Sequence, residues 1–144
     1  MIAEATLSPE TAAFTQLRNP SIDAAVTIPI TLNVAEMRLE LPIQSRYLSV
    51  VENYDHPIIF TLHGGGSEAF FDNPGIVFLN PPSFFTSGSL QRVTSTRLEL
   101  HWSNVHLADR GRSFDYRIFV VVRVNGFLVP VTHDPTVHND PPTI

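Results

Sequence analysis

The chain has 144 residues, a net charge of −5 and no cysteine, and its basic residues are all arginine. Those counts exclude a disulfide framework, thiolate zinc sites, a cysteine nucleophile, Schiff-base chemistry and a P-loop. The negative balance gives no general attraction for nucleic acid or anionic membrane, and 43% hydrophobic against 16% charged residues marks a chain that folds.

The amino terminus, MIAEATLSPETAAF, lacks the basic and apolar regions of a signal peptide. The expectation is a cytoplasmic protein with no membrane span. Ser8-Pro9-Glu10 is a helix start, and Asn19-Pro20 a stop. A short helix or arm over residues 1–23 is therefore expected ahead of one domain, 24–144.

From Ala25 the hydrophobic period becomes two. Val26, Ile28, Ile30, Leu32 and Val34 alternate with polar residues and proline, and Met37, Leu39 and Leu41 continue the pattern. Tyr47 to Val51, Pro57 to Leu62 and Gly75 to Leu79 read as shorter strands. In the strand from Thr94 to Ser103, Leu98, Leu100 and Trp102 fall on the inward phase and Arg97, Glu99 and His101 on the outward one.

The organising stretch is Phe114 to Thr132. Asn125-Gly126 is the dipeptide of a two-residue type I′ turn, because both central positions need positive φ. That turn sets Val124 against Phe127, Val122 against Val129 and Val120 against Val131 on one apolar, buried side. Val121 then falls opposite Pro130 at a pair that exchanges no hydrogen bonds, so the Pro130 nitrogen faces outward, and its strand is expected at a sheet edge or beside a neighbour interrupted by a bulge at Pro130. With about eight strands and frequent turn signals, the expected fold is an all-β antiparallel two-sheet sandwich, immunoglobulin-like or jelly-roll-like. A small closed barrel is the alternative.

Two loops carry Phe-Phe pairs: Gly64 to Pro74, with Phe70 and Phe71, and Asn80 to Ser89, with Phe84 and Phe85. Loop aromatics of this kind stack on sugars, anchor partners, or fold back over an open end of the core. At least two of the four are expected to be mostly buried.

His63-Gly64-Gly65-Gly66 resembles an oxyanion-hole loop, but no serine has glycine at both i−2 and i+2, so a nucleophile elbow is missing. His133, Asp134, His138 and Asp140 offer nitrogen and oxygen ligands suited to zinc, in a spacing that matches no metal motif. The expectation is no metal and no cofactor, and a tail ordered to about Asn139.

The stretch Val120 to Asn125, followed by His133-Asp134-Pro135-Thr136-Val137-His138-Asn139-Asp140-Pro141, resembles the carboxy-terminal end of small bacterial β-sandwich proteins of the PixA/AidA inclusion-body type and of the DP-EP proteins. The resemblance implies a bacterial, non-enzymatic sandwich that self-associates, and it carries no catalytic residues. The leading expectation is thus a non-catalytic binding or self-assembly module, a homo-oligomer with a carbohydrate or protein partner. The alternatives are a carbohydrate- or small-ligand-binding domain using the Phe-rich loops and a metal-dependent enzyme of cupin-like type.

Overall fold

The computed structural model describes residues 25–42, 47–50, 55–103, 107–109 and 111–139. The expected amino-terminal helix or arm lies outside them. No helix among the described residues is long and apolar enough to cross a membrane.

The fold is all-β and its strands form two sheets. The first sheet has the order β2-β1-β4-β7-β6, from β1 (Val26–Asn33), β2 (Arg38–Glu40), β4 (Asp55–His63), β6 (Leu90–Thr94) and β7 (Arg97–Ser103). The second contains β3 (Tyr47–Val50), β5 (Ala69–Phe78), β8 (Ser113–Val124), β9 (Phe127–His133) and β10 (Thr136–Asn139). Strand β8 is its spine. It carries β5 on one side and β9 followed by β10 on the other.

Alternation sends Val26, Ile28, Ile30 and Leu32 inward from β1, and Leu98, Leu100 and Trp102 inward from β7, as expected from the sequence. Val34 lies beyond the end of β1 and is exposed. The buried side chains of both sheets form one cluster. Phe60 of β4 meets Tyr116 of β8 edge-on at 6.1 Å, and Trp102 of β7 meets Phe114 of β8 at 6.0 Å. Burial pushes the Tyr116 phenol far above its ordinary range, so it stays neutral.

The β8–β9 hairpin has the register set by its turn. Val124 pairs with Phe127, Val122 with Val129, Val120 with Val131 and Val121 with Pro130. Asn125 and Gly126 take φ of 50° and 83°, the left-handed values a type I′ turn requires. Among the described residues β9 pairs with β8 alone, as the outward nitrogen of Pro130 demands. β10 continues β9 in the same register: Ile118 faces His133 and Asp115 faces Thr136. Between them Tyr116 N–H donates to Pro135 O at 3.2 Å, and Pro135 has no N–H to return. That one missing ladder bond separates β9 from β10.

Three expectations need correction. The sheets are mixed, not antiparallel throughout, because β1 runs parallel to β4 and β3 parallel to β10. After the β1–β2 hairpin the chain passes to the second sheet as β3 and returns as β4 beside β1. A strand that returns after such a crossing can arrive parallel, whereas a tight turn cannot produce this.

The second correction is the loop Gly64 to Pro74. Residues Ala69 to Phe78 are one strand, β5, whose register on β8 shifts between Phe71 and Ile76. The segment Asp72-Asn73-Pro74-Gly75 resembles a strand-ending turn and is instead a bulge inside the strand, with a cis bond at Asn73-Pro74. Phe70 and Phe71 are therefore strand residues. A further strand, β6, occupies Leu90 to Thr94.

The third concerns the far end of the hairpin. Val120, Val122 and Val131 are in the core, but Phe127 is 74% and Leu128 59% exposed. The hairpin outruns the sheet that covers its base, so alternation assigns Phe127 to the inner face with nothing of the core beneath it.

A candidate ligand-binding cleft

The segment between β5 and β6 builds the site. Phe85 N–H donates to Pro82 O at 3.0 Å, closing a turn over Pro82 to Phe85. Thr86 then caps the 3₁₀ turn Ser87–Ser89: Gly88 N–H donates to Thr86 Oγ1 at 3.2 Å, and Thr86 N–H to Ser89 Oγ at 3.0 Å. The turn is pinned from below by Asp109, which is fully buried. Its carboxylate accepts from Ser83 N–H at 2.8 Å and from Ser83 Oγ–H at 2.9 Å. Arg112 Nη1 lies 3.6 Å from the same carboxylate, and its guanidinium lies over the Phe114 ring at 5.0 Å. The buried charge is thus both hydrogen-bonded and compensated.

So anchored, the loop turns both phenylalanines inward. Phe84 packs edge-on against Trp102 at 5.0 Å and Phe85 against Phe78 at 5.1 Å. Both are half-buried. Of the other pair, Phe71 is fully buried and Phe70 half-buried. None of the four is freely solvated, as expected, and Phe85 lines a cavity.

That cavity is a cleft of about 490 Å³ between the edges of the two sheets, within the range of small-molecule sites. Pro74, Ile76, Val77 and Phe78 of β5 form one wall, and Leu90, Arg92 and Leu98 of β6 and β7 the other. Pro81, Phe85 and Ser87 close one end. Near the other end Phe71 N–H donates to Ser95 O at 2.9 Å, joining the two edges. Arg92 Nη2 donates to Phe71 O at 2.9 Å and also to Asp72 O. The guanidinium is therefore held in place across the cleft by main-chain carbonyls.

The other candidate groups do not converge. His63 is exposed at the end of β4, its Nε2 2.9 Å from Thr61 Oγ1. The glycines after it answer a steric need. A Cβ on Gly64 would stand 2.5 Å from Leu32 O, and one on Gly65 would stand 2.3 Å from the Ala69 Cβ. His101 pairs with Asp55 at 2.8 Å on the outer face of the first sheet.

His133 lies opposite the buried Ile118, and Asp134 pairs outward with Arg117 at 3.3 Å. The His138 side chain and Asp140 lie outside the described residues. Among the described residues no group of three or more His, Cys, Asp or Glu is placed to hold a metal.

Sequence reasoning missed Arg92, Leu90 and Asp109. The alternation Leu90, Arg92, Thr94 was available as a strand signal, but only one of those residues is apolar. No local signal could show that Asp109 reaches Ser83. No protein-family model matches the chain, and no curated protein matches it.

Proposed function

We propose that the protein is a non-catalytic binding module on a two-sheet β-sandwich, and that it takes a small, largely apolar ligand in the cleft between β5 and β6. The observation that carries this reading is the cleft itself: apolar walls from both sheets, one end closed by Phe85, and few polar groups at its rim. The scattered histidines and carboxylates, described above, favour binding over catalysis. The inward edges of Phe84 and Phe85 favour an apolar ligand over a carbohydrate, which needs an open aromatic face for stacking.

A neutral fluorescent probe, N-phenyl-1-naphthylamine, tests the reading. It should bind the wild type at one site and be lost on Leu90→Trp, a substitution at a half-buried lining position that fills the cleft. Probe binding that is equal in the two folded proteins, or absent from both, would refute it.

A second reading, self-assembly, is favoured by the bare hairpin tip. Phe127 and Leu128 form an apolar end of the kind found at interfaces. The tail resemblance to proteins of the PixA/AidA type points the same way. Light scattering on the wild type and on a Phe127→Ser, Leu128→Ser double variant tests it, an oligomer that dissociates in the variant being the expected result.

A further inference from the structure

Arg92 differs from the other described arginines. Arg38, Arg97, Arg112, Arg117 and Arg123 each lie within 4.0 Å of a carboxylate. Among the described residues Arg92 donates to the carbonyls of Phe71 and Asp72 and has no carboxylate partner. Carbonyls fix its position without forming an ion pair. The guanidinium carries five N–H donors, so those bonds leave donors free for another acceptor. A fixed cation therefore stands at the rim of an apolar cleft, with the polar groups of Asn73 and Ser87 on the same lining.

We infer that the cleft takes an amphipathic monoanion, an apolar chain ending in a carboxylate. The chain would lie against Ile76, Phe78 and Leu98 and the carboxylate would meet Arg92. A single guanidinium matches one negative charge and a planar two-oxygen acceptor, and a phosphate dianion would call for further cations that the lining lacks. Arg92 is exposed, so the charge contributes a preference among apolar ligands and the apolar walls supply the bulk of the affinity. This inference rests on the reading of the cleft as a ligand site, and its test separates the two.

Decanoate and 1-decanol, titrated below their aggregation limits in a calorimeter, share the chain and differ in the charge. Decanoate should bind about tenfold more tightly at low salt, the worth of one charge-assisted contact at a partly solvated site. The gap should narrow in 0.5 M salt, which shortens the screening length to about 4 Å. Arg92→Gln, which keeps amide donors for the two carbonyls, should bring decanoate down to the level of decanol, and Arg92→Lys should retain the preference. Equal affinity of the wild type for the two ligands would overturn the inference and leave the apolar cleft standing. Failure of both ligands to bind would overturn both. Binding to phosphatidylglycerol vesicles with no binding of monomeric decanoate would overturn the carboxylate assignment.

Discussion

The two Phe-Phe pairs are alike in sequence, each set among turn-forming residues, and the structure treats them differently. Phe70 and Phe71 lie on β5, where alternation puts them on opposite faces of the second sheet. Phe71 is fully buried, while Phe70 faces Val121 on the outer side. Phe84 and Phe85 lie in a loop, where no period separates them. A closed turn and the Ser83–Asp109 bonds bring both against the core, and both end half-buried. Burial of an aromatic pair is thus decided by the backbone that carries it. The strand divides a pair into one core residue and one surface residue, and an anchored loop turns both into a cover.

The sharpest test of that contrast is within β5. Phe71→Ala should cost about 3–5 kcal/mol in chemical denaturation, as for a large core side chain cut to a methyl. A loss below about 1 kcal/mol would mean that β5 does not run through Phe71 in this register. Next comes the anchor of the loop. Asp109→Ala leaves the Ser83 donors without their acceptor and should cost about 1–3 kcal/mol. It should also free Phe84, so that the fluorescence of Trp102, the only tryptophan, shifts. An unchanged spectrum would show that the aromatic packing holds the loop without Asp109.

Phe85→Ala should cost less, about 1–2 kcal/mol, because the ring is half-buried and leaves an enlarged cleft open to solvent. The neutral probe should still bind. Phe70→Ala should cost the least, about 0.2–1 kcal/mol, the scale of a cross-strand pair on a sheet surface. A Phe70→Ala loss as large as that of Phe71→Ala would remove the inside–outside distinction on which the comparison rests.

The hairpin shows how far the sequence could be read. Asn125-Gly126 fixes a turn type, the turn type fixes the register, and the register predicts that the nitrogen of Pro130 faces out. Each step is local, and each appears in β8 and β9. The same reasoning overreached at the tip, where it assigned Phe127 to the core. A period says which side a residue faces, and says nothing of how far the covering sheet extends. The segment Asp72 to Gly75 failed for a related reason: residues that favour a turn also favour a bulge, and only the pairing of Ile76 with Ile118 distinguishes the two.

By itself, then, the sequence determined what two-residue periodicity and turn chemistry can encode: an all-β chain, the inward phase of β1 and β7, the burial of Trp102 and the register of one hairpin. Those properties depend on neighbours a few residues away, and the local backbone enforces them. The tertiary structure alone decided the parallel pairing of β1 with β4, the bulge that keeps β5 whole, the reach of Asp109 to Ser83, and the cleft with Arg92 at its rim. All four bring together groups distant along the chain, or depend on a partner that is. Such pairings are selected by the free energy of closing the whole core, which no short window of sequence contains.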